Sequence, residues 1–136
     1  MRLSFAALDD QGRVIMVKQY RHAAGEVLLE LPAGTMERGE DPVATATREL
    51  QEETGFFPGE LTAAGGFFSA PGFCTEFLHF FVARKLRAQR MQGDEDEEIE
   101  VVALPLDEVR RLIRIGQIKD AKSIAGLSML LLGGFV

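Results

Sequence analysis

Three glutamates crowded onto one helical face constrain this chain more than any other feature. Glu49, Glu52 and Glu53 fall within five residues, in a segment whose punctuation predicts a helix. Asp41 is a favoured N-cap residue, Pro42 suits the first helical position, and Gly55 ends the run near Thr54. At about 100° per residue from Val43, the side chains of Ala46, Thr47, Leu50 and Thr54 lie within about 60° of one line, a stripe suited to packing on a sheet. Glu49, Glu52 and Glu53 fall near about 240°, 180° and 280°, so their carboxylates share a face about 100° wide beside that stripe. Arg48 precedes Glu52 by one turn, the spacing of an ion pair. Like charges at these spacings repel, and acids gain nothing from the helix dipole beyond the first turn. Converging carboxylates favour a hard cation such as Mg²⁺ or Mn²⁺. Taken alone, such a run is more often a solvated acidic face.

The rest of the chain reads as a mixed α/β domain. Residues Leu3 to Leu8 and Arg13 to Tyr20 are β-like and joined by Asp9-Asp10-Gln11-Gly12; the run Val14-Ile15-Met16-Val17 suits a strand covered on both faces. Further strands are expected at Glu26 to Leu31, Leu61 to Ser69, Thr75 to Lys85 and Ile99 to Leu104, and helices at Asp107 to Ile115 and Ala121 to Leu132. The apolar C-terminal stretch is too short to cross a bilayer as a helix and is expected to pack on the core. One domain over residues 1–136 accommodates this length. With 15 basic and 21 acidic residues the net charge is −6, which argues against general nucleic-acid binding. Cys74 is the sole cysteine, and the N-terminus lacks the pattern of a signal peptide. The expected protein is cytoplasmic, with neither nucleic acid nor membrane as a partner.

The helix belongs to a longer pattern: Gly34, five residues, Glu40, seven residues, then Arg48-Glu49-Leu50-Gln51-Glu52-Glu53-Thr54-Gly55-Phe56. Every specified position of the Nudix box is filled, and a chance match in a chain this long is on the order of 10⁻⁸. The chain resembles the Nudix hydrolases over most of its length. That resemblance implies an α/β/α sandwich with a mixed sheet and a loop–helix–loop metal site. It also implies cleavage of a nucleoside diphosphate linked to another group, by attack of water on phosphorus. Matched onto this chain, Glu49 and Glu53 are implied as the principal ligands of Mg²⁺, with Mn²⁺ as an alternative, and Glu52 lies close to the metal. The carbonyl of Ala33 is the implied backbone ligand. Arg48 would orient a carboxylate, Glu40 would brace the loop, and Gly34 and Gly55 would permit turns. An acidic protein repels a pyrophosphate unless cations intervene, so the implied chemistry agrees with the charge.

Residues outside the box resemble the ADP-ribose pyrophosphatase branch: Gln19-Tyr20-Arg21-His22, Glu30-Leu31-Pro32-Ala33-Gly34, Ser69-Ala70-Pro71-Gly72, Asp94 to Val101 and Gly116 to Ile124. The implied reaction converts ADP-ribose or a related nucleoside diphosphate sugar into a nucleoside monophosphate and a sugar phosphate. Arg21 is the candidate phosphate-holding residue, because its fork of donors suits oxyanions. Pro71 and Gly72 are implied to border the substrate. By resemblance Glu95 is the general base on the acidic run, with Glu97 second and Glu52 as the rival within the box. His22 and His79 are expected to be structural, and Phe67, Phe68 and Phe73 to serve the core rather than a stacked base. Relatives in this branch carry extra residues ahead of the first strand, and the resemblance implies a homodimer. A non-catalytic nucleotide-sensing module and a clean-up hydrolase for nucleoside triphosphates are the competing readings.

Overall fold

The computed structural model describes residues 1–90 and 99–136. Glu95 and Glu97 lie outside the described residues. The elements in chain order are β1 (Arg2–Leu8), β2 (Val14–Arg21), β3 (Glu26–Glu30), β4 (Ala33–Thr35), α1 (Pro42–Thr54), β5 (Phe56–Phe68), β6 (Phe77–Ala88), β7 (Ile99–Leu104), α2 (Leu106–Arg114) and α3 (Ala121–Leu132).

These strands form one mixed sheet in the order β3-β2-β1-β6-β5, with β4 paired to β1 and β7 to β2. The β1–β6 pairing is parallel, and the others are antiparallel. Alternation along the strands sorts apolar side chains onto two faces. Leu3, Phe5 and Ala7 of β1 join Ile15, Phe81 and Ala83 against Ala46 and Leu50 of α1. Ala6 and Leu8 of β1 join Val14, Met16, Phe80 and Val82 against Val109 of α2 and Leu127 and Leu130 of α3. The result is an α/β/α sandwich in which α1 lies on one face and α2 and α3 on the other. Leu50 is fully buried there, and truncating it to alanine would cost about 2–5 kcal/mol. Among the described residues no helix is long and apolar enough to cross a membrane.

The caps of α1 follow the sequence. The Asp41 side chain accepts from the Ala44 amide at 3.3 Å, and Gly55 closes the helix in the left-handed region at φ 77°. The buried stripe differs from expectation. Val43 is 49% exposed, whereas Thr45, Ala46, Leu50 and Thr54 are buried. The first turn stands in solvent, so burial starts with the second. Two strands begin earlier or extend further than expected. β5 starts at Phe56, running through Pro58 and Gly59, which an edge strand tolerates because among the described residues no further strand needs the missing donor. β6 ends at Ala88.

The aromatic expectation needs correction. Phe67 packs against the core, but Phe68 is 58% exposed and Phe73 is 90% exposed. Phe68 sits at the end of edge strand β5 and stacks edge-on against Phe77 at 5.1 Å, while Phe73 lies in the following turn. The C-terminal expectation holds for Leu127, Leu130 and Phe135, which pack on the core, but Leu132 faces solvent.

Candidate active site

The short strand β4 pairs with β1 through Leu3↔Gly34 and Ser4↔Ala33, which fixes the Pro32–Gly34 segment beside the C-terminal half of α1. The Ala33 amide donates to Glu53 Oε2 at 3.2 Å. Gly34 lies directly against Glu49: a Cβ there would sit 2.3 Å from Glu49 Cγ and 2.6 Å from its Oε2. Gly34 does not have a positive φ, whereas Gly55 does. Gly34 therefore serves close approach rather than a turn, and only Gly55 fills the turning role expected of both.

Arg48 is the internal counter-ion of the acidic face. It donates to Glu49 Oε1 at 3.2 Å, to both Glu52 oxygens at 3.4 Å and to Glu40 Oε2 at 3.3 Å. Glu40 also accepts from the Glu37 amide and from Thr45 Oγ1, each at 2.8 Å. The hydrogen bond from the Glu37 amide, then that from the Thr45 hydroxyl, holds the Glu40 carboxyl below its ordinary range. Burial pushes the Glu49 carboxyl up; Arg48 pulls it down and Glu52 adds to the rise.

Among the described residues the three glutamates divide between two neighbouring clefts. A cleft of about 230 Å³ is bounded by Glu49 and Glu53 with Ala33, Gly34, Thr35, Arg2, Arg21 and Glu30. A neighbouring cleft of about 330 Å³ is bounded by Glu52 and Glu53 with Gln51, Gly55, Arg90, Ile99 and Val101. Glu53 borders both. Pro71 and Gly72, exposed in the turn after β5, line neither cleft.

Arg21 reaches the first cleft but is not unpaired. Its Nε and Nη2 donate to Glu30 Oε2 and Oε1 at 2.7 and 2.9 Å. Glu30 is 1% exposed and is also bound by Lys122. Burial would raise the Glu30 carboxyl, but the hydrogen bonds from Arg21 and Lys122 outweigh it and hold the group below its ordinary value. Sequence reasoning missed Glu30, Arg2 and Lys122 as members of the cleft or its support. One signal was available: Glu30 interrupts the apolar run Leu28-Leu29-Glu30-Leu31, and a charge so placed calls for a partner.

Among the described residues, no three His, Cys, Asp or Glu side chains already form a closed cage for a metal. Mg²⁺ does not need one, since it binds through one or two carboxylates and keeps several waters. The carboxylates of Glu49 and Glu53, one turn apart on α1 and lining the same cleft, are a hard-oxygen donor set that fits such an ion.

A profile for the NUDIX domain matches residues 2–127. The chain is 39% identical over 126 residues to an ADP-ribose pyrophosphatase of Bacillus subtilis (strain 168), covering 91% of this chain and 68% of that protein. It is 38% identical, over the same length and with the same coverage, to a methanol dehydrogenase activator of Bacillus methanolicus. A solved structure described as an ADP compounds hydrolase superposes with a TM-score of 0.84 at 25% identity, covering 99% of this chain and 76% of that one.

Proposed function

Because the chain belongs to the NUDIX domain family, we propose that it is a Mg²⁺-dependent pyrophosphohydrolase that cleaves ADP-ribose or a related nucleoside diphosphate sugar into a nucleoside monophosphate and a sugar phosphate. One observation carries the reading: Glu49 and Glu53 line one cleft together with Arg21 and Arg2. Carboxylates for a metal and guanidinium groups for phosphate oxygens are the two requirements of diphosphate cleavage. The relative named an ADP-ribose pyrophosphatase and the structure described as an ADP compounds hydrolase support the substrate class.

In this reading Glu49, Glu53 and the Ala33 carbonyl hold Mg²⁺, or Mn²⁺ in its place, with Glu52 close by. The bound cation supplies charge neutralisation of the phosphate oxygens and a more acidic water. Arg48 keeps the Glu49 and Glu52 carboxylates oriented, and Glu40, tied to Thr45 and the Glu37 amide, anchors Arg48 in turn. Arg21 uses its remaining N–H groups to grip a phosphate. Glu52 is the base candidate among the described residues. The protein acts as a homodimer, a reading supported by the exposed cross-strand pair Tyr20 and Val27 and by Leu132. A cytoplasmic location accords with its free thiol, Cys74.

The test is product identification after incubation with Mg²⁺ and a panel of ADP-ribose, other nucleotide sugars, dinucleoside polyphosphates and nucleoside triphosphates. Nucleoside monophosphate and sugar phosphate should form from the nucleotide sugars. Glu53→Gln should lower the rate at least about 100-fold, or about 2.7 kcal/mol of transition-state stabilisation. A second reading, regulation of another enzyme, is favoured by the relative named an activator. Tight nucleotide binding without turnover of any panel member would establish it instead.

A further inference from the structure

Behind the cleft, Arg21 is backed by three charged side chains that the reaction as described does not use: Glu30, Lys122 and Asp120. Glu30 accepts the two-bonded fork from Arg21 on one side and Lys122 Nζ on the other. Lys122, 8% exposed, also donates to Asp120 Oδ2 at 2.8 Å. Asp120 caps α3 through the Ser123 amide at 3.1 Å and accepts from Ser123 Oγ at 2.5 Å. Ser123 Oγ in turn accepts from the Leu31 amide at 2.8 Å, one residue before the Pro32–Gly34 segment. The first turn of α3 is thus tied to β3 at the residues that lead into the cleft wall.

Buried ion pairs rarely add stability over apolar residues of similar size. Two cations and a second carboxylate gathered around one almost fully buried acid therefore call for a role in geometry. An arginine carries five N–H donors. Glu30 engages Nε and Nη2 of Arg21 and leaves the rest of the guanidinium for the cleft that Arg21 lines with Glu49 and Glu53. We infer that Lys122 is a positioning residue: by holding Glu30 from behind, it fixes the guanidinium of Arg21 in the attitude that receives a substrate phosphate. Lys122 itself does not line the cleft. The inference rests on the reading that Arg21 grips phosphate in this cleft.

A double-mutant cycle on kcat/KM for ADP-ribose with Mg²⁺ tests it, using Arg21→Ala, Lys122→Met and the double variant. Lys122→Met should lower kcat/KM about 10-fold, mainly through KM, and less than about 2-fold when Arg21 is already alanine. Lys122→Arg should restore most of the loss. In the metal-free protein, hydrogen exchange at Arg21 Nε, followed by NMR, should quicken at least about 10-fold in Lys122→Met if Glu30 is no longer held. Unchanged kcat/KM in Arg21→Ala would refute the phosphate reading itself. A full loss in Arg21→Ala with independent, multiplying losses for Lys122→Met, or unchanged exchange at Arg21 Nε, would overturn the positioning role alone. If Lys122→Met does not fold, Lys122→Gln, which leaves an uncharged and weaker donor facing Glu30, passes through the same cycle; its smaller loss in kcat/KM must likewise vanish when Arg21 is already alanine, and a loss that multiplies with that of Arg21→Ala overturns the positioning role.

Discussion

Replacing Gly34 by alanine adds one methyl group where β4 lies against Glu49. That carbon would stand 2.3 Å from Glu49 Cγ, 2.4 Å from Cδ and 2.6 Å from Oε2. Carbon atoms in ordinary contact are about 3.5–4.0 Å apart, so the carboxylate has to move by more than about 1 Å. The backbone itself accepts alanine, since Gly34 is not among the positive-φ glycines. A displacement of about 1 Å in a group that positions the reacting centre costs on the order of 100-fold in rate, or about 2.7 kcal/mol. The fold loses less. Glu49 leaves a place where burial already penalises its charge, and the added methyl costs about 1 kcal/mol of stability. Steady-state kcat/KM with ADP-ribose and a Mg²⁺ titration of activity should both deteriorate, while urea unfolding of the metal-free protein should shift only slightly. A folded Gly34→Ala protein with parental kcat/KM would refute the placement of Glu49 in the reaction. Losses of stability and activity in proportion would assign Gly34 to packing instead.

Other substitutions separate the remaining roles. Glu30 has a folded-state pKa below its ordinary value of 4.5, so its contribution to stability is complete above about pH 4.5 and is lost as pH falls through the lowered value; Glu30→Gln should flatten the acid limb of a stability–pH profile. Arg48→Ala should lower the metal-free stability by less than about 1 kcal/mol, because the pairs it makes are part-exposed, and thermal unfolding should show Mg²⁺ raising the variant's midpoint more than the parent's. Gly55→Ala forces a side chain into φ 77° and should cost about 1–2 kcal/mol in urea unfolding without changing KM.

Much of the fold could be read from residue order. The unbroken apolar run Val14-Ile15-Met16-Val17 announced a strand buried on both faces, and the structure places Val14 and Met16 in one core cluster and Ile15 in the other. The caps at Asp41 and Gly55 are local chemistry, and local chemistry survives folding. What escaped depended on pairing across distance. β4 has three residues, too few for any period, and exists because β1 is there to receive it. Val43 fits the wheel, but no wheel shows that the sheet covers only later turns. Phe68 and Phe73 are apolar by type and exposed by position, since among the described residues no strand pairs with β5 on its far side. The partnership of Glu30 with Lys122 spans 92 residues, and only the strand register and the seat of α3 bring it about.

Glu53 is a partition between two compartments, the one lining residue they hold in common among those described. Altering it changes both rooms at once, so selectivity cannot be retuned there for one end of a ligand without disturbing the other. Redesign has to begin at residues that a single compartment owns: Thr35 and Gln19 on one side of the wall, Arg90 and Val101 on the other.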